Sequence, residues 1–244
     1  MSLLRSALFS TPLIAVCTIF MGTLSLIASF FDRTGRSQHA LARVWGRMLL
    51  GVCFIRVRVE GLEKLDPNGT YVFVSNHGSY MDIPALLSAL PQQFRFFAKK
   101  GLFSIPFLGT HLRRAGHLPV DRSSPRASLK SMQEASRIIR ERGISVLNFP
   151  EGGRSHAYEV LREFKEGPAY IAIKAGVPVV PVGLVGLRDL LPMGSGHLRS
   201  GDVTVRVGDP IETAGMQASD RVELTTRLHA EVRRLMKPPA EPRP

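Results

Sequence analysis

The sequence predicts an α/β fold with a mixed, largely parallel sheet flanked by helices, preceded by an N-terminal membrane-embedded helical hairpin. Three observations carry this. Short runs of β-branched and aromatic residues alternate with longer stretches whose apolar residues recur every three or four positions, the order that builds a sheet covered on both faces. No charged residue occurs between positions 8 and 31, where Leu, Ile, Phe, Ala and small residues dominate. Several strand-like runs lead straight into polar, glycine-bearing turns, where α/β proteins hold reactive groups on a rigid scaffold. At 244 residues the chain suits one domain with a sizeable core and some extra. No internal repeat is visible.

The run at 8–31 is long enough to cross a hydrocarbon core with tilt. It exceeds the apolar part of a cleaved signal peptide, and Asp32 and Arg33 follow it directly. Arg33, Arg36, Arg43 and Arg47 lie after the run against only Arg5 before it, which keeps the C-terminal side cytoplasmic. Residues 38–55 carry arginines among Leu41, Val44, Trp45, Met48, Leu49 and Leu50, an amphipathic helix with Trp45 suited to a membrane interface. Either one spanning helix or two helices dipping into one leaflet fits. Residues 1–55 are therefore assigned to membrane anchoring, 56–237 to the α/β domain and 238–244 to a frayed Pro-rich tail.

Within the domain, residues 54–59 alternate apolar and arginine as a half-exposed strand, and Asp66-Pro67-Asn68-Gly69 is a turn. Residues 71–75 form a buried strand, 83–90 a short helix stopped by Pro91, and 94–98 another strand. Ser124-Pro125 opens a helix to Arg142 that Gly143 ends. A strand at 144–149, a helix at 165–175 ended by Gly176, strand-like runs at 177–184 and 203–207, and an amphipathic helix at 220–236 complete the order. Pro178 and Pro181 argue that their run is an edge, a bulge or a pocket wall rather than a central strand.

Thirty-two Lys and Arg against 20 Asp and Glu give a net charge of +12, which suits an anionic partner: nucleic acid, a lipid surface or a phosphorylated substrate. One Trp and four Tyr offer few stacking platforms, and no helix-turn-helix, RNA-binding sheet or finger signature appears, so nucleic acid is excluded. Cys17 and Cys53 sit in apolar runs without a second ligand pattern, so neither a disulfide framework nor a metal site is expected.

Three stretches carry chemistry. His77 and Asp82 occupy the turn after the strand at 71–75. A histidine oriented by a carboxylate is a general base, although Asp82 could equally cap the helix that starts there. Lys99 and Lys100 end the next strand, and Pro106, Gly109, Gly116, Asp121 and Arg122 follow; alone, this reads as a solvated basic loop. Phe149-Pro150-Glu151-Gly152-Gly153-Arg154-Ser155 leaves a third strand, and its adjacent glycines with Arg154 suit an oxyanion.

Taken in order, Asn76-His77-x-Ser79-x-x-Asp82, Lys100 with Pro106, Gly109 and Asp121-Arg122, Phe149 to Ser155, and Val177-Pro178-x-x-Pro181-Val182 resemble the motifs of the glycerolipid acyltransferases. They are most similar to those of the bacterial 1-acyl-sn-glycerol-3-phosphate (lysophosphatidate) acyltransferases. The resemblance covers roughly residues 54–184. It implies that His77 takes the proton from the acceptor hydroxyl and that Asp82 holds its tautomer, with direct transfer and no Ser or Cys nucleophile. It implies phosphate binding by Arg122 and Arg154 with Lys99 or Lys100, and an acceptor pocket formed by Glu151, Gly152, Gly153 and Ser155. Two departures stand out: Gly153 replaces a common Thr, and Gly101 replaces a common Glu.

The implied reaction moves a fatty acyl group from acyl-CoA or acyl-carrier protein to the sn-2 hydroxyl of lysophosphatidate at the cytoplasmic face of the inner membrane, without cofactor or metal. The alternatives are an acyltransferase for another lysophospholipid or lyso-aminolipid, and a non-catalytic basic module that binds membranes.

Overall fold

The computed structural model describes residues 2–121, 124–154, 161–191 and 194–237. The tail assigned to 238–244 lies outside them. Ser2–Arg5 (α1), a π-helical turn at Ser6–Ser10 and α2 (Thr11–Phe31) run on as one helix. Over Leu3–Phe31 it is long and apolar enough to cross a membrane. Val16, Ile19, Phe20, Ile27, Phe30 and Phe31 point outward from it. Asp32 then turns the chain: its carboxylate accepts from the backbone N–H of Ser37 (2.7 Å) and from the N–H and hydroxyl of Thr34. The next helix, α3 (Arg36–Val52), returns antiparallel. Trp45 is half-buried. Its indole N–H donates to Thr18 on α2 at 3.1 Å, because α3 is sandwiched between α2 and the α/β domain.

The domain comprises β1 (Ile55–Glu60), β2 (Val72–Ser75), α4 (Asp82–Ala89), β3 (Phe94–Lys99), α5 (Leu108–Arg114), β4 (Leu118–Val120), α6 (Pro125–Arg142), β5 (Ser145–Asn148), α7 (Gly167–Ala175), β6 (Val179–Val185), α8 (Leu187–Leu190), β7 (Gly201–Val207) and α9 (Arg221–Met236). The strands form one sheet in the order β1-β7-β6-β2-β5-β3-β4. Every pairing is parallel except β6 with β7. Alternation along β2 splits the core: Phe73 joins the α3 and α4 side, while Val72 and Val74 pack with α6, α7 and α9. Covered on both faces, β2 reads as a continuous apolar run.

Two expectations need correction. Residues 99–122 are not an irregular basic loop but contain α5 and β4; a seven-residue helix and a three-residue strand are too short for periodicity to register. The proline-bearing run is also no edge, since β6 lies inside the sheet between β7 and β2. Pro181 is tolerated because its missing N–H falls where the ladder to β7 stops. Its carbonyl accepts there from Gly208, just past β7.

Three histidines gather behind β3, His39 buried and His111 and His117 half-buried. His39 of α3 meets Phe94 edge-on at 4.9 Å, His117 packs 3.8 Å from Phe96, and His111 lies 6.4 Å from His117 between ring centres. Burial depresses all three basicities, that of His39 to about 4 with help from Arg95 and Arg43. The unfolded chain therefore takes up these protons first. Their contribution to stability is complete above pH ~6.5 and is lost as the pH falls toward ~4. Urea midpoints in detergent should drop between about pH 7.5 and pH 5, and drop less in His117→Gln; equal pH slopes in the two proteins would contradict this.

Candidate functional site

Parallel pairing brings the C-terminal ends of β2, β5, β6 and β3 to one edge of the sheet, so their loops open into a common cleft. Asn76 leaves β2 first. Its side chain bridges to β6, donating to the Leu184 carbonyl (3.0 Å) and accepting from the Leu184 N–H (2.7 Å). This extends the β2–β6 ladder by one side chain and fixes where the following residue emerges. Glu151, at the end of β5, secures that residue from the other flank: the His77 backbone N–H donates to Glu151 Oε1 at 2.6 Å. Burial pushes the Glu151 carboxyl above its ordinary range, against the opposing pull of the His77 and Arg162 N–H groups.

The His77 side chain is set by two contacts. Its ring stacks on Phe149 at 4.0 Å between centroids and 17° between planes. Its Nδ1 lies 2.7 Å from Asp82 Oδ2. The same oxygen accepts the backbone N–H groups of Gly78 (2.8 Å) and Ser79 (2.9 Å). Both amides can only donate, so Oδ2 is an acceptor and Nδ1 carries the proton. The other nitrogen, Nε2, keeps its lone pair, as a general base requires. Asp82 is 1 % exposed and is the first residue of α4, yet no side chain caps that helix. Its carboxylate is turned back onto the loop, so of the two readings open in the sequence the orienting one holds.

Arg154 lies alongside. Its Nε donates to the Ser79 carbonyl at 3.3 Å, and its guanidinium sits 4.1 Å over the Tyr80 ring. Gly152 adopts φ +74°, so glycine is needed for the turn, and a Cβ there would come 3.1 Å from Cε of Lys165, the flexible end of a side chain. Gly153 follows in the same turn. Lys99 and Lys100 stand farther off. Lys99 ends β3 and Lys100 follows it, and β5 separates β3 from β2, about 10 Å at ordinary strand spacing. Lys100 pairs with Asp121 at 3.2 Å. Arg122 and Ser155 lie outside the described residues. The cysteines are remote from the cleft elements, in α2 and just after α3, and burial pushes the Cys53 thiol up to about 11.

Sequence reasoning passed over five features. Asn76 and Phe149 were visible only as motif letters, because their partners lie across the sheet. Lys165 and Arg188 come from distant segments; Arg188 lies beside Gly78. The fifth is an apolar cavity of about 340 Å³ between the hairpin and the domain, walled by Met21, Trp45, Ile83, Leu87, Phe96 and Phe107. Ile83 is the residue after Asp82, so the cavity reaches the helix that orients His77.

An imidazole held by a buried carboxylate, with a guanidinium at its side and an apolar cavity reaching the same helix, has the geometry of a general acid–base site. Comparison with known proteins narrows this class. The model of the Acyltransferase family matches residues 56–185, and the chain belongs to that family. A chloroplastic 1-acyl-sn-glycerol-3-phosphate acyltransferase of Brassica napus is 40 % identical over 184 residues, 74 % of this chain and 52 % of the relative. The alpha form of 1-acyl-sn-glycerol-3-phosphate acyltransferase of Homo sapiens is 32 % identical over 174 residues, 71 % of this chain and 61 % of the relative. The chain thus spans about half to three-fifths of the curated relatives it matches. The crystal structure of the 1-acyl-sn-glycerophosphate (LPA) acyltransferase PlsC of Thermotoga maritima superposes with a TM-score of 0.78 at 29 % identity, covering 96 % of this chain and 93 % of that one.

Asn76→Ala should destabilise the protein by about 1–3 kcal/mol, since it strands the buried Leu184 N–H and carbonyl. Thermal unfolding in detergent will show a lowered midpoint, and an unchanged midpoint would mean that the bridge to β6 carries no weight.

Proposed function

We propose that the protein transfers a fatty acyl group from an acyl thioester, acyl-CoA or acyl-carrier protein, to the sn-2 hydroxyl of 1-acyl-sn-glycerol-3-phosphate, forming phosphatidate. The observation that carries this reading is the 2.7 Å contact of His77 Nδ1 with Asp82, which leaves Nε2 as the base. The named activity of the relatives supports the substrate class.

His77 Nε2 removes the hydroxyl proton as the oxygen attacks the thioester carbonyl. Collapse of the tetrahedral intermediate breaks the C–S bond, and the departing sulfur takes the proton back from the imidazolium. Asp82 stays ionised throughout and stabilises that imidazolium. Arg154 grips the acceptor phosphate, with Arg122 and Lys99 or Lys100 as further cations, while Gly152, Gly153 and Ser155 shape the acceptor pocket. Glu151 acts through His77, whose backbone it holds. The apolar cavity takes an acyl chain. The outward apolar face of α2 anchors the protein on the cytoplasmic side of the inner membrane, where the net positive charge faces anionic lipid. Residues 1–55 then form the anchoring unit and 56–237 the catalytic one.

His77→Ala should lower turnover by about 10²–10⁴-fold while association with vesicles persists. Retained turnover would refute the base assignment. Arg154→Ala should raise the KM for lysophosphatidate by at least about tenfold, the loss of one charge-assisted contact, and should raise it less for a lysolipid without a phosphomonoester. An equal effect on both acceptors would remove Arg154 from the phosphate site and favour another lysolipid as substrate.

A further inference from the structure

We infer that Tyr80 is a positioning residue: it holds Arg154 as a pre-set fork for the acceptor phosphate, an inference that rests on Arg154 binding that phosphate. The loop from β2 to α4 buries the neighbours Ser79 and Met81 and turns Tyr80 outward, 53 % exposed. The Tyr80 ring therefore belongs to no core. Its hydroxyl makes no hydrogen bond among the described residues. What covers the ring is Arg154, whose guanidinium carbon lies 4.1 Å from the ring centre.

The guanidinium is held a second way, at one edge, where Nε donates to the Ser79 carbonyl at 3.3 Å. The ring fixes the tilt of the guanidinium plane, and the carbonyl fixes its rotation within that plane. With Nε spent, Nη1 and Nη2 keep their N–H groups at the far end, the pair that takes two oxygens of a phosphate side by side. Arg154 is half-buried, and no carboxylate pairs with it among the described residues. A contact between an arginine and an exposed ring adds modestly to stability. Its larger effect falls on binding, because immobilising a long side chain when a ligand arrives costs entropy that a side chain already fixed does not lose.

The placement on this loop adds selectivity. The N–H groups of Gly78 and Ser79 hold Asp82 Oδ2, which holds His77 Nδ1. The carbonyl of Ser79 and the ring of Tyr80 hold Arg154. Three consecutive residues thus set both the base and the fork, so the spacing between the two is built into one loop. In the acceptor, four bonds join the sn-2 oxygen to phosphorus, about 5 Å at the reach of an extended chain. A fixed spacing favours acceptors whose hydroxyl and phosphate stand that far apart.

The test is steady-state kinetics of the detergent-solubilised full chain, varying lysophosphatidate with the faster of the two acyl donors held constant. The variants are Tyr80→Leu, Tyr80→Phe, Arg154→Ala and the double variant of Tyr80→Leu with Arg154→Ala. Tyr80→Leu should raise the KM about three- to tenfold and change kcat less than about twofold, while Tyr80→Phe, which keeps the ring, should stay within about twofold of wild type. Tyr80→Leu should add nothing to Arg154→Ala, since two residues that act through one contact are not additive. The exposed position leaves the core intact, and an unchanged thermal midpoint will show that Tyr80→Leu folds. A KM raised in Arg154→Ala but not in Tyr80→Leu would overturn this inference and leave the phosphate role of Arg154 standing. A KM unchanged in Arg154→Ala would overturn both. Additive effects would make Tyr80 a contact of its own, and an equal loss in Tyr80→Phe would assign the effect to the hydroxyl; either result overturns the role as support for Arg154.

Discussion

A buried carboxylate oxygen must be satisfied, and at Asp82 this requirement shapes everything around the cleft. Oδ2 collects three donors, from Gly78, Ser79 and the His77 ring, because a charge removed from water is tolerated only when hydrogen-bonded. Collecting them folds residues 77–79 back over the start of α4 and fixes which imidazole nitrogen is protonated. The position of α4 depends in turn on the hairpin. Gly46 lets α3 press against Pro84, where a Cβ would come within 2.9 Å of the Pro84 carbonyl. The His77 ring is therefore oriented by a chain of contacts that begins in the N-terminal helices.

Strand order supplies the remainder of the site. With β2 held between β5 and β6, the residue after it can be braced from both sides, by Glu151 from one neighbour and by Asn76 reaching to Leu184 on the other. Neither brace performs chemistry. Together they limit where the His77 backbone can go, and stacking on Phe149 limits the ring. Such positioning holds the histidine ring at one geometry.

The hairpin is a structural partner of the domain. Arg95, buried at 3 % exposure, donates to the Thr34 carbonyl at 3.0 Å and ties the turn between α2 and α3 to β3. Burial and the neighbouring Arg142 bring its basicity down to about 10. Docked this way, the hairpin encloses the apolar cavity.

The sequence by itself determined the elements whose signals are local. The helix at 125–142 was legible to the residue because Ser124, Pro125 and Gly143 punctuate it, and the structure repeats them as cap, first turn and αL stop. Strands with continuous apolar runs were legible to within a residue or two. The pairing of His77 with Asp82 was readable as a possibility because five positions fit inside one strand-to-helix turn. Only the tertiary structure decided which way Asp82 faces, since capping and orienting use the same residue type and differ in the donors presented by the fold. It alone put a proline-bearing run in the middle of the sheet, by ending β7 opposite Pro181. It alone paired Trp45 with Thr18 and brought Lys165 beside Gly152. These outcomes depend on contacts between residues far apart in the chain, which local pattern does not encode.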